Sequence, residues 1–209
     1  MIEDIALETF INDVYEYYGF DLGGYSRASL KRRVNRIMLL DGFSNFYDFL
    51  SKVKYDADYY KRAIDEITVN VTEMFRDPSF YKVLRNEIVP ILGTKPFIRI
   101  WHAGCSSGEE VYSMAILLKE AGLLYKSILY ATDINAKVLE TAKKGIFPLR
   151  MMKDYSENYR AAGGQEDFSS YYIANYGNVK FSEDLSKKMV FSQHNLVSDT
   201  SFNEFDMIF

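Results

Sequence analysis

The stretch Phe97-Ile-Arg-Ile-Trp-His-Ala103 constrains this chain more than any other. It reads as a strand, runs into the turn Gly104-Cys-Ser-Ser-Gly108, and passes directly into a helical pattern from about Glu109 to Glu120. Ser127-Ile-Leu-Tyr-Ala-Thr132 is a second strand ending on Asp133, and Asn135 stands where a cap would start a further helix through Ala142. Strand, helix, strand, helix in this rhythm implies a parallel sheet with helices on its faces. Lys188-Met-Val-Phe-Ser-Gln-His194 resumes the pattern as a strand, and Phe205-Asp-Met-Ile-Phe209 begins one more. Residues 145–188 lose the rhythm and are rich in Tyr, Ser, Gly and Asn, so they are expected to be an inserted subdomain.

The front of the chain has a different period. Ile5, Phe10, Ile11, Val14 and Tyr18 recur at helical spacing, and Gly19 follows as a stop. A second helix is expected from about Ser26 to Leu40, a third after a Ser44 cap, and a fourth carrying Tyr60, Ala63, Ile64 and Ile67. Residues 1–67 thus form a small helical bundle with short connections. Residues 68–96 hold an extended linker through Arg76, then a helix that Asp77 caps and Pro78 opens. Residues 97–209 form the α/β domain.

Composition narrows the function. The 209 residues carry a net charge of −4, which speaks against broad nucleic-acid binding. A single cysteine, Cys105, excludes an internal disulfide framework and suits a reducing compartment. No basic stretch precedes an apolar run at the N-terminus, and no apolar run approaches the ~20 residues of a membrane span, so a cytoplasmic protein is expected. His102 and His194 are too few for a metal site and read as strand-end histidines bonding locally. Cys105 has no evident base partner and reads as a loop residue.

In a sheet of this kind ligands bind outside the carboxyl ends of the strands. A glycine-containing turn at that place serves several cofactors; the discriminating residues are Glu109 and Glu110. A dinucleotide would set its pyrophosphate at this helix N-terminus, where two carboxylates repel it. They suit a cofactor without phosphate whose methionine end carries an ammonium and a sulfonium, which is S-adenosylmethionine. Each glutamate taken alone fits equally well as a first-turn carboxylate favoured by the helix dipole. Asp133, ending the second strand, can accept both ribose hydroxyls. Asn195 is placed to hydrogen-bond an adenine edge with Leu196 packed beside it, although alone it would read as a turn residue.

These pieces also carry a resemblance. Asn70-Val-Thr72-Glu-Met-Phe-Arg76, Trp101-His-Ala-Gly-Cys-Ser-Ser-Gly-Glu-Glu110-Val-Tyr-Ser, Ala131-Thr-Asp133-Ile-Asn and Asn195-Leu196 follow one another as in the chemotaxis-receptor methyltransferases of CheR type. Lys31-Arg-Arg-Val-Asn-Arg36 before Gly42-Phe-Ser-Asn-Phe46 is similar to their N-terminal domain, so nearly the whole chain is covered. The resemblance implies a Rossmann-like class I methyltransferase domain behind a small all-α domain. It implies methyl-ester formation on glutamates of a chemoreceptor's cytoplasmic helical bundle, with S-adenosylhomocysteine as the other product. By matching positions, Asn70, Thr72 and Arg76 lie over the cofactor, Gly104 lies under its methionine part, Glu110 contacts it and Asp133 binds the ribose. Asn195 and Leu196 match the adenine neighbourhood, and Arg33 and Arg36 match basic residues of the helix that docks on the receptor.

A glutamate carboxylate is ionised at neutral pH, so its attack on a sulfonium methyl needs no general base, and catalysis falls to positioning. Arg76 is the residue expected to orient the substrate carboxylate. Arg32, Arg33 and Arg36 lie three and four apart on one stripe that an acidic receptor bundle would attract; spacing alone equally allows a solvated face. The family continues past the strand at Phe205–Phe209 with a Cys-Arg-Asn segment and a tyrosine near the methyl group, so the resemblance makes residues 97–209 an incomplete domain. A monomer is expected, without nucleic acid or membrane insertion. Two other readings stand beside this one: a cofactor-binding sensor or scaffold without turnover, and a methyltransferase for another substrate.

Overall fold

Helical spacing in the first part and strand alternation in the second produce two units, Met1–Val69 and Asn70–Phe209, in a computed structural model that describes residues 2–67, 72–196 and 199–209. The first unit comprises α1 (Asp4–Tyr18), α2 (Arg27–Leu40), α3 (Phe46–Tyr55) and α4 (Ala57–Ile67). α1 buries Leu7, Phe10, Ile11 and Val14 along one stripe, and Gly19 closes it in the left-handed conformation with its N–H on the Tyr15 carbonyl. Those side chains meet Leu30, Val34, Phe49, Ala63 and Ile67 in a core of the bundle's own. The cap of α3 is Asn45 rather than the expected Ser44: its side chain accepts the Asp48 N–H at 2.9 Å. Burial of Phe49, Leu50 and Val53 sets the helix to start at Phe46, and the cap is the residue directly before it.

The second unit opens with α5 (Pro78–Val83), capped by Asp77 accepting the Phe80 N–H and led by Pro78. It continues through one wide π-turn, Leu84–Ile88, into α6 (Val89–Gly93). The wide turn falls directly ahead of Pro90, whose ring and missing N–H a regular helix interior does not accommodate. There follow β1 (Ile98–Ala103), α7 (Glu109–Glu120), β2 (Ser127–Asp133), α8 (Ala136–Lys144), β3 (Ile146–Pro148), α9 (Met152–Ala161), β4 (Tyr172–Asn175), β5 (Asn178–Phe181), α10 (Glu183–Ser186), β6 (Met189–Gln193) and β7 (Met207–Ile208).

The strands form a parallel sheet in the order β6-β2-β1-β7, with Ile98 opposite Ser127 and Ala103 opposite Thr132. Ile98, Ile100, Leu129 and Ala131 are fully buried on one face and share a core with α7. α7 is buried on nearly all sides, from Val111 to Leu118, as a helix at the centre of a unit must be. From β1 the chain fills one side of the sheet with β2 and β6, then crosses to place β7 on the other. The strand order reverses at β1, and a ligand crevice belongs outside the carboxyl ends of the strands there. A separate antiparallel sheet, β3-β5-β4, lies within residues 146–181, with β4 at its edge. Among the described residues no helix is long and apolar enough to cross a membrane.

Candidate functional site

The turn after β1 is held from below and open above. Gly104 and Cys105 both donate their backbone N–H to the Thr132 carbonyl at 2.8 Å, which ties the turn to the end of β2. Gly104 has φ +86°, and a Cβ built there would meet no atom within 4 Å. Gly108 has φ +95°, and its Cβ would stand 2.9 Å from the Ala142 Cβ, so here glycine is required for α7 and α8 to approach. Between them Ser106 has a left-handed φ of +51°, a strained position for a residue with a side chain. Its buried Oγ finds no hydrogen-bond partner among the described residues.

Asp133 lies directly beside this turn. Its Oδ2 accepts the Ser106 N–H at 2.8 Å and its Oδ1 accepts the Asn135 N–H at 2.9 Å. The carboxylate is 8% exposed, and each oxygen retains a lone pair beyond those two bonds.

The two glutamates that the sequence pairs have different surroundings, because adjacent helical residues point about 100° apart. Glu109 turns inward: Ser107 Oγ donates to its Oε2 at 2.7 Å, the Tyr155 hydroxyl approaches its Oε1 at 3.4 Å, and burial pushes its carboxyl above the usual range. Glu110 remains 42% exposed, and its Oε1 accepts the Nδ1–H of His102 at 2.7 Å. Of the two glutamates it is therefore Glu110 that offers an exposed carboxylate at the turn. Cys105 is buried 3 residues before Gly108, and burial pushes its thiol up to about 12, which leaves no thiolate for chemistry.

Of the segment expected over the cofactor, Asn70 lies outside the described residues, Thr72 is half-buried and Arg76 is exposed. The expected extended linker ends in a turn at Met74 and Phe75, both fully buried. Phe75 has φ +51°, donates its N–H to Ser113 Oγ of α7 at 3.0 Å, and packs edge-on against Tyr81 and Tyr159. This aromatic anchor sets where Arg76 leaves the core. Asn195 follows β6 by two residues, half-buried, with its N–H on Asp199 Oδ2 at 2.8 Å, and Leu196 is exposed. In the helical unit Arg36 is exposed, whereas Arg33 is half-buried and donates to the carbonyl of Ile67, the last residue of α4. The arginines of the stripe therefore differ: Arg32 and Arg36 face water, and Arg33 ties two helices.

Sequence reasoning missed the Glu110 partner. The signal was present in strand alternation, which puts His102 on the same buried face as Ile98 and Ile100.

These features fit S-adenosylmethionine. The open side of Gly104 admits a close approach, the buried Ser106 hydroxyl has no partner among the described residues, and Asp133 has acceptor capacity for ribose hydroxyls. At this helix N-terminus backbone N–H groups would favour a phosphate, and the exposed Glu110 carboxylate opposes it.

Residues 70–209 match the family described as CheR methyltransferase, SAM binding domain, and residues 5–68 match CheR methyltransferase, all-alpha domain. The Pseudomonas putida protein Cher3 is 43% identical over 205 residues, covering 98% of this chain and 75% of its own length. A chemotaxis protein methyltransferase of Listeria innocua is 31% identical over 213 residues, covering 100% and 78%. One of Borreliella burgdorferi is 30% identical over 219 residues, covering 97% and 74%. A class I methyltransferase fold behind a small all-α domain, with S-adenosylmethionine as its cofactor, follows from these matches. The chain belongs to the CheR methyltransferase family.

Proposed function

We propose that this protein transfers a methyl group from S-adenosylmethionine to glutamate side chains of a chemoreceptor's cytoplasmic helical bundle. The observation that carries the reading is the acidic, lysine- and arginine-free turn at the switch point of the sheet, in a chain whose relatives are named chemotaxis protein methyltransferases. Gly104 lies under the methionine part, Glu110 takes its ammonium, Asp133 takes the ribose hydroxyls, and Asn195 and Leu196 flank the adenine, with Thr72 over the cofactor. Bound S-adenosylmethionine supplies a methyl group made electrophilic by the sulfonium. The substrate carboxylate arrives ionised at neutral pH, so the chain's task is to orient it and keep water away. Arg76, directed by the Phe75 anchor, holds that carboxylate, since a planar guanidinium can engage both oxygens. The exposed edge of β4, beside a cavity of about 730 Å³ lined by Tyr172, Tyr176 and Phe181, suits a receptor peptide added as a strand.

The test is transfer of a labelled methyl group to purified receptor cytoplasmic fragments, with release as methanol in base marking an ester. Arg76→Ala is expected to lower transfer at saturating substrate and cofactor by about 100-fold, the order lost with one positioning contact; full transfer would remove Arg76 from the reaction. For the docking helix, Arg36→Glu is expected to weaken receptor methylation about 10-fold at low salt while cofactor affinity holds, as for a steering charge. Arg33→Glu also breaks the bond to Ile67, so it is expected to lower the thermal midpoint of the helical unit as well. Loss of cofactor affinity in Arg36→Glu would overturn the docking role.

A further inference from the structure

His102 is fully buried near the end of β1, two residues before the turn. Its ring lies flat on Phe209, with centroids 4.9 Å apart and planes within 9°, and Phe80 stands edge-on behind Phe209. Nδ1 is 2.7 Å from Glu110 Oε1, while Nε2 is buried with no hydrogen-bond partner among the described residues. A pure packing role would be met by an apolar ring, which would bury no orphaned nitrogen. The imidazole is retained at that cost with its other nitrogen aimed at the one glutamate of the turn that stays exposed.

We propose that His102 is a positioning residue for cofactor binding: it fixes Glu110 so that the free carboxylate oxygen meets the cofactor's α-ammonium. This rests on the reading that Glu110 takes that ammonium. Glutamate is a flexible side chain, and an unpinned one must be ordered each time ligand binds. A donor at Nδ1 does the ordering in advance, and the stacked Phe209 holds the donor in turn. The choice of imidazole over lysine or arginine has a reason as well. A permanent cation at 2.7 Å would neutralise the charge that the ammonium needs, whereas an imidazole can supply the bond through Nδ1–H without carrying a fixed positive charge.

Two ligands separate positioning from general structure. S-adenosylhomocysteine carries the amino-acid part; 5′-methylthioadenosine shares the adenosine and lacks it. By calorimetry, His102→Phe is expected to weaken S-adenosylhomocysteine about 10-fold, the order of one hydrogen bond to a charged group, and to leave methylthioadenosine within about twofold. His102→Asn, whose side-chain N–H can stand near the Nδ1 position, is expected to recover most of the loss. In a Glu110→Gln background His102→Phe is expected to add nothing further, since the two would act through one contact. If His102→Phe does not accumulate folded, His102→Leu is measured with the same expectations. Equal weakening of both ligands, no weakening of either, or a full His102 effect in the Glu110→Gln background overturns the proposal. A Glu110→Gln protein that keeps its preference for S-adenosylhomocysteine over methylthioadenosine would instead remove the Glu110 reading itself, and the positioning role with it.

Discussion

Glu120→Ala is expected to cost about 3–5 kcal/mol of unfolding free energy, the range for breaking a buried ion pair from one side. Glu120 ends α7 with its side chain 2% exposed, and its Oε2 stands 2.6 Å from Nη2 of Arg85, itself 12% exposed. The Tyr171 hydroxyl donates to its Oε1 at 3.0 Å, the Gln165 N–H at 3.1 Å, and the Tyr159 hydroxyl completes the set. One carboxylate therefore joins α7 to the π-turn ahead of α6, to α9, and to the turn before β4. Truncation leaves a buried guanidinium without its counterion and several donors without an acceptor. Typical domains hold only about 5–15 kcal/mol in total, so the loss would be plain in urea denaturation, and a change below about 1 kcal/mol would mean that water replaces the carboxylate. The pH dependence has a definite sign. Burial pushes the Glu120 carboxyl up, but the Tyr159 hydroxyl, the Gln165 N–H and Arg85 together hold it below its ordinary value. A carboxyl depressed in the folded state stabilises above its unfolded pKa, and that contribution disappears as pH falls through the folded value. The stability difference between the parent and Glu120→Gln should accordingly shrink on acidification.

This network also shows what the sequence could and could not disclose. Period is a local property, so β1, α7 and β2 were readable from alternation and helical spacing, and α7 appears between Glu109 and Glu120 as expected. The place of the turn was readable too, because Gly104, Glu110 and Asp133 belong to short motifs that fall at the ends of β1 and β2 and the start of α7. Contacts between residues distant in the chain leave no such trace. Nothing near Glu120 announces Arg85 or Tyr171, and nothing near Arg33 announces the Ile67 carbonyl that separates it from Arg36. Glu109 and Glu110 look alike as letters, but the helix turns the first inward toward Ser107 and Tyr155 and leaves the second exposed. Residues 145–188 lack a clear period because β3, β4 and β5 are three or four residues long, too short for alternation to register.

Asp133→Ala is expected to have the largest effect on the cofactor, lowering S-adenosylmethionine affinity by about 100-fold or more, on the scale of two hydrogen bonds to a charged acceptor. The side chain has two tasks that share one group. It fixes the turn, through Ser106 N–H on one oxygen and Asn135 N–H on the other, and its remaining lone pairs are proposed to hold the ribose. Both donors are backbone N–H groups, so removing the carboxylate takes this acceptor from each of them. Ser106 has the further strain of φ +51°, which the bond to Asp133 helps to maintain. Asp133→Asn separates the tasks in part: its one carbonyl oxygen can serve a single backbone N–H, while the amide presents donors where an acceptor is needed. It should therefore bind little better than Asp133→Ala, although the two side chains differ greatly in size. Asp133→Glu keeps the charge but moves it by one methylene, past the spacing of the two N–H groups, and should also bind weakly. Calorimetric titration of the three variants checks the order. If Asp133→Asn retained parent affinity, the carboxylate would be holding the turn alone and the ribose would be held elsewhere. If all three bound methylthioadenosine as tightly as the parent, Asp133 would have no part in the adenosine site at all.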